Sequence, residues 1–155
     1  MKEVIEILTK NKETISTMES CIGGGIANAI TNIEGASEVF KYSAVTYSNE
    51  FKIKMGIPSE IIEKYTVYST QVANEMSKCI SNYTNSDYGI GVTGKLNRVD
   101  RFNPYGSDNV VFISIYSKKE TSFRVWAPIA ESSSKDISKK YNCTMELTRL
   151  IFSFL

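Results

Sequence analysis

Ser20 stands between an apolar, β-prone run, Thr14-Ile-Ser-Thr-Met18, and a glycine-rich turn, Cys21-Ile-Gly-Gly-Gly25, that opens the amphipathic stretch Ile26-Ala-Asn-Ala-Ile30. This order sets a serine at a strand-to-helix turn, with its hydroxyl beside backbone N–H groups that lack intrahelical partners. Such a turn can hold a phosphate or an oxyanion, and on pattern alone it can equally do no more than cap a helix. Further along, Tyr47-Ser-Asn-Glu-Phe-Lys52 supplies a tyrosine and a lysine, and the chain contains no histidine. A Ser-His-Asp triad, a Cys-His dyad and a histidine-containing metal site are thereby excluded within one chain. The proton of an attacking serine must pass to lysine, tyrosine or a carboxylate. Lysine serves only where burial or a nearby cation brings its pKa toward neutrality.

Neighbouring residues have simpler expected roles. Glu19 and Glu50 suit orienting neighbours or capping helices, and Asn49 is balanced between an N-cap and a ligand contact. Cys21 adjoins Ser20 but has no histidine partner, which leaves the serine as the better nucleophile. The cysteines, Cys21, Cys79 and Cys143, are odd in number, widely spaced and without a C-x-x-C, so neither a disulfide framework nor a zinc site is expected. Cys79 and Cys143 fall in helix-like segments and read as small core residues.

The chain has 155 residues, 42 % hydrophobic and 23 % charged, which suits a single domain over residues 1–155 with one well-buried core. Net charge is +1, so nothing points to nucleic acid or a membrane surface. No run approaches the length of a transmembrane helix, and Met1-Lys-Glu-Val-Ile-Glu6 has acids where a signal peptide needs an apolar core. A cytoplasmic location is the expectation.

The elements that must position these groups alternate in type. Helical patterns are expected at Glu3–Leu8, Gly23–Ile33, Asn49–Met55, after Pro58 and after Ser69 as N-cap, and from Ser132 to the C-terminus. Strands are expected at Thr14–Met18, Glu38–Thr46 and Asp87–Val92, the last ending in Thr93-Gly94, and a hairpin at Asn109–Tyr116 and Thr121–Trp126. Residues 95–107 read as a polar loop. Alternation followed by a hairpin implies an α/β domain with a mixed sheet.

Three runs carry a family resemblance: Glu19-Ser-Cys-Ile-Gly-Gly24, Gly35-Ala-Ser-Glu-Val-Phe40 and Val45-Thr-Tyr-Ser-Asn-Glu-Phe-Lys52. In order and spacing they resemble the C-terminal domain of CinA and the stand-alone PncC enzymes, which hydrolyse the carboxamide of nicotinamide mononucleotide to the acid and ammonia. The resemblance implies a three-layer α/β/α domain and a small-molecule nucleotide substrate. It makes Ser20 the nucleophile, assisted by Tyr47 and Lys52, with the N–H groups of Cys21, Gly23 and Gly24 as an oxyanion or phosphate turn. No metal or cofactor is implied, and self-association as a homodimer or larger homo-oligomer is expected.

One segment departs from that pattern. Where the family has a second glycine, a proline and a glycine-rich substrate loop, this chain keeps Thr93 and Gly94 and then reads Lys95-Leu-Asn-Arg-Val-Asp-Arg-Phe-Asn-Pro-Tyr-Gly-Ser107. The family's arginine before the last helix is also replaced, by Ser132-Ser-Ser-Lys-Asp136. Asn49, Thr93, Gly94, Lys95, Arg98 and Arg101 are candidates for substrate binding. Lys95, Arg98, Arg101 and Lys135 are the cations available to a phosphate, and Phe102 and Tyr105 offer a face to a flat ring. An intact catalytic half beside a rewritten recognition half leaves two readings open: an amidase, or a repurposed member that binds a nucleotide-like ligand or a protein without hydrolysis. A bare phosphate-binding turn at Gly23-Gly24-Gly25 is weaker, because it gives Tyr47 and Lys52 no role.

Overall fold

Every residue of Ile15–Glu19 is buried, as a strand covered on both faces requires. In the computed structural model, which describes residues 2–96, 100–106 and 108–126, this strand (β1) lies inside a five-stranded sheet. The chain runs α1 (Lys2–Asn11), β1, α2 (Gly25–Thr31), a 3₁₀ turn (Ala36–Glu38), β2 (Phe40–Val45), α3 (Asn49–Lys54), α4 (Ser59–Tyr65) and α5 (Thr70–Thr84). It continues through β3 (Tyr88–Lys95), β4 (Val110–Ser117) and β5 (Ser122–Trp126). The strand order is β2-β1-β3-β4-β5; β1 is parallel to β2 and β3, while β4 and β5 run antiparallel. The expected α/β domain with a mixed sheet is what forms. The expected final helix lies outside the described residues.

Side-chain alternation along the strands divides the interior into two cores. On one face Ile15, Ile90, Val92, Val111, Ile113 and Ile115 pack with Val4, Ile5 and Leu8 of α1 and Ile26 and Ile30 of α2. On the other, Met18 packs with Val72, Met76 and Ile80 of α5 and with Ile57. Helices therefore cover both faces, giving three layers. The α5 face of β3 is built from glycine for a reason of space. A Cβ on Gly91 would overlap the Ala73 carbonyl, and one on Gly89 the Ser77 carbonyl, so the helix backbone rests directly on the strand. Buried hydroxyls complete the seam, with Ser77 Oγ 3.0 Å from Ser114 Oγ and Ser81 Oγ donating to the Ser86 carbonyl at 2.7 Å.

Chain order also fixes where a site can form. From β1 the chain crosses through α2 to β2 on one side, then returns through α3–α5 to β3 on the other. The carboxyl end of β1 is thus a point where connections diverge and leave a crevice, the usual ligand position in such sheets. Ser20 leaves β1 there, and Thr46 and Tyr47 leave β2 beside it.

Candidate active site

The Ser20 turn is held by groups the chain brings along. Ser20 N–H donates to the Val92 carbonyl at 3.0 Å, and Gly23 N–H donates back to the Ser20 carbonyl at 3.0 Å. Gly24 then takes φ +90°, a left-handed conformation that favours glycine, and α2 begins. No cap side chain from within the turn serves this helix. Glu19, wholly buried at the end of β1, accepts from Ile26 N–H (3.1 Å) and Ala27 N–H (2.9 Å), with Thr17 Oγ1 at 3.2 Å. Burial pushes the Glu19 carboxyl above its usual range, opposed by these N–H groups, by Thr17 and by Gly24 N–H. The expectation that Gly23 and Gly24 offer their N–H groups to a ligand anion is corrected accordingly. Gly23 closes the turn on Ser20 and Gly24 faces the Glu19 carboxylate.

Lys52 reaches Ser20 from α3. Ser48 caps this helix by accepting from Phe51 N–H at 3.1 Å, so the capping role considered for Asn49 belongs to Ser48. One turn in, Lys52 points inward and is only 2 % exposed. Its Nζ lies 3.2 Å from Ser20 Oγ and donates to the Thr46 carbonyl at 2.7 Å. Thr46 N–H in turn donates to the Glu19 carbonyl at 2.8 Å, which locks the β2 exit to the β1 exit. Burial pulls the Lys52 pKa down from 10.5 to about 8, against the raising influence of the Cys21 thiol and the Asp100 carboxylate. About a tenth of such a lysine is neutral at pH 7, and the 3.2 Å contact then lets the amine accept the serine proton.

The other expected residues divide. Tyr47 stands at the mouth, 68 % exposed, and its hydroxyl has no hydrogen-bond partner among the described residues. Asn49 Nδ2 donates to Asn103 Oδ1 at 2.8 Å, tying α3 to the rewritten loop. Thr93 is fully buried and donates to the Val67 carbonyl at 2.7 Å, which makes it an anchor for the connector between α4 and α5 and not a substrate contact. Gly94 lies within β3, where a Cβ would come 2.6 Å from the Val110 carbonyl; its role is to admit β4. Lys95 closes β3 with its ammonium 3.0 Å from Asp108, so it is already paired. Arg101 is exposed, and Arg98 and Lys135 lie outside the described residues, as does Cys143.

Sequence reasoning missed Tyr68 and Asp100. Tyr68 Oη donates to Asp100 Oδ2 at 2.5 Å, and the Asp100 carboxylate acts to raise the Lys52 pKa. The available signal was slight: Asp100 is an acid in a loop otherwise read for its cations. Among the described residues no cluster of acids and cysteines could hold a metal ion, and no helix is long and apolar enough to cross a membrane.

Comparison with known proteins agrees with this architecture. A model of the CinA C-terminal domain family matches residues 1–134. A CinA-like protein of Endomicrobium trichonymphae is 38 % identical over 148 residues, covering 92 % of this chain and 33 % of the relative. A CinA-like protein of Dictyoglomus thermophilum is 37 % identical over 122 residues, covering 78 % of this chain and 29 % of the relative. The chain thus spans no more than about a third of the length of these curated relatives. The crystal structure of competence/damage inducible protein CihA from Agrobacterium tumefaciens superposes with a TM-score of 0.80 at 24 % identity, over 96 % of this chain and 90 % of that one. The competence or damage-inducible protein from Enterobacter asburiae gives 0.82 at 20 % identity, over 98 % and 96 %.

Proposed function

The chain belongs to the CinA C-terminal domain family, and from that membership and the site geometry we propose that it is a metal-independent amidase acting on nicotinamide mononucleotide. One observation carries the reading: a lysine 2 % exposed, with its pKa brought down to about 8, lies 3.2 Å from the hydroxyl of a serine at the switch point of the sheet. Neutral Lys52 takes the proton as Ser20 Oγ attacks the carboxamide carbon, and the oxyanion forms beside the Cys21–Ile22 backbone. Tyr47, exposed at the mouth, donates a hydrogen bond to the developing charge. The Lys52 ammonium returns its proton to the departing nitrogen, and ammonia leaves. Water, deprotonated by the same amine, then attacks the acyl-enzyme and frees nicotinic acid mononucleotide and Ser20. Lysine thus fills the role histidine plays in other hydrolases.

The test is ammonia release from nicotinamide mononucleotide by the wild type and by Ser20→Ala. Turnover by the wild type alone supports the reading. Saturable binding of the nucleotide without ammonia release replaces it with that of a repurposed binding protein.

A further inference from the structure

Among the described residues, the segment Asp100–Gly106 is tied to the rest of the molecule through Tyr68 and Asn49. Asp100 accepts four hydrogen bonds. Phe102 N–H (2.9 Å), Asn103 N–H (3.2 Å) and Asn103 Nδ2 (2.9 Å) come from its own segment. The fourth comes from Tyr68 Oη at 2.5 Å, 32 positions away in sequence. At the other end of the segment, the Gly106 backbone lies against the same tyrosine, where a Cβ would come 3.0 Å from the ring. A second tether, Asn49 Nδ2 to Asn103 Oδ1 at 2.8 Å, joins the segment to the helix that carries Lys52.

The post itself is fixed. Tyr68 sits in the connector between α4 and α5, which starts at Thr66 with φ 63° and ψ 163°, a conformation strained for a β-branched residue. Such strain persists where the surroundings over-determine the backbone. Here Thr93 Oγ1 donates to the Val67 carbonyl at 2.7 Å, Ser69 Oγ to the Thr66 carbonyl at 2.9 Å, and Tyr68 N–H to Thr66 Oγ1 at 3.3 Å. The connector is thereby riveted to β3, directly beneath the segment it supports.

We propose that the Tyr68–Asp100 hydrogen bond is a latch that fixes Asp100–Gly106 as the outer wall of the Ser20–Lys52 site, making Tyr68 a positioning residue for substrate binding. The wall borders the site: Asn103 is tied to Asn49 on the helix that carries Lys52, and the Asp100 carboxylate is near enough to raise the Lys52 pKa. The latch is constant across neutral pH. Burial opposes ionisation of Asp100, but the bonds from Tyr68 and its own segment outweigh it and hold the carboxyl at about 2. Burial, and then Asp100, push the Tyr68 hydroxyl well above its usual value, so the proton stays on the tyrosine.

The structural part stands alone; the kinetic part rests on the amidase reading. Tyr68→Phe keeps the ring under Gly106 and removes only the donor. Limited trypsin digestion of the folded protein reads the wall directly at the Arg101–Phe102 bond, where Phe102 is 90 % exposed. The variant is expected to be cut there about tenfold faster than wild type, with KM for nicotinamide mononucleotide raised several-fold and kcat within about twofold. Asp100→Asn should do the same from the other side, because one amide oxygen cannot serve four donors. Unchanged cleavage at Arg101 in both variants overturns the latch, and so does a fall in kcat with KM unmoved. A wild type that releases no ammonia removes the amidase reading, and the cleavage rates still decide the latch.

Discussion

The inner and outer halves of the site are held by opposite means. Inside, Glu19, Ser20, Thr46 and Lys52 are buried and tied by bonds among the ends of β1 and β2 and the start of α2 and α3. Outside, Phe102 and Tyr105 are exposed, and among the described residues the wall is tied through Tyr68 and Asn49. Chemistry that needs a lowered lysine pKa needs a dry, fixed interior. Recognition tolerates a surface that hangs from a few contacts. Inner substitutions should therefore change turnover and stability, and outer ones should change binding.

The largest effect is expected at Ser20. Ser20→Ala should lower ammonia release by at least about 10³-fold while leaving the thermal midpoint within a few degrees, measured by scanning calorimetry beside the rate assay. A folded variant that keeps a tenth of its activity would break the assignment of the inner half.

Lys52→Met should come next, and in two directions. Turnover should fall by about 10²-fold or more. Stability should rise, because the native lysine titrates near 8 and the unfolded one near 10.5. Between those values the unfolded chain holds a proton that the native state has lost, so wild-type stability climbs with pH across that window, by about 3 kcal/mol in all. Below pH 8 the native state bears the whole cost of a buried ammonium, and methionine removes it. Lost bonds to Ser20 and the Thr46 carbonyl offset part of the gain, leaving about 1–2 kcal/mol in favour of methionine at pH 7 and about as much against it by pH 10.5. Urea unfolding at the two pH values gives both numbers, and a variant less stable at pH 7 would contradict the burial argument.

Glu19→Gln sharpens the comparison at the helix start. The carboxylate accepts Ile26 N–H on one oxygen and Ala27 N–H on the other; an amide turns a donor toward one of them. A loss of about 2 kcal/mol in urea unfolding is expected. Tyr47→Phe should be smallest, lowering kcat by about tenfold with stability unchanged, since its hydroxyl touches nothing described until substrate arrives. An equal fall produced only through KM would move Tyr47 to the outer half.

The two halves also differed in how far they could be read in advance. Local pattern placed Ser20 at a strand-to-helix turn and Lys52 one helical turn past a second strand run, but it was the spacing shared with the family that joined them in one site. The absence of histidine made lysine the natural base. The fold class followed from the same alternation. Glycines were misjudged where backbone packing, which leaves no local mark, decides their use. Gly23 and Gly24 serve the turn and Glu19, and Gly94 admits β4. Thr93 and Lys95 looked available until the sheet buried one and set the other against Asp108. Tyr68 and Asp100 were invisible because their meeting depends on the α4–α5 connector crossing under a loop far along the chain. Such a contact belongs to the tertiary fold and has no periodicity to read.

The most direct measurement is the pH profile of kcat/KM for ammonia release from nicotinamide mononucleotide between pH 6.5 and 9.5, which reports the ionisation of groups in the free enzyme. With Lys52 as the base, log kcat/KM should rise with unit slope and level off above an inflection near the lysine's value of about 8. A profile flat across that range, or one that falls through it, would contradict Lys52 as the group that takes the Ser20 proton.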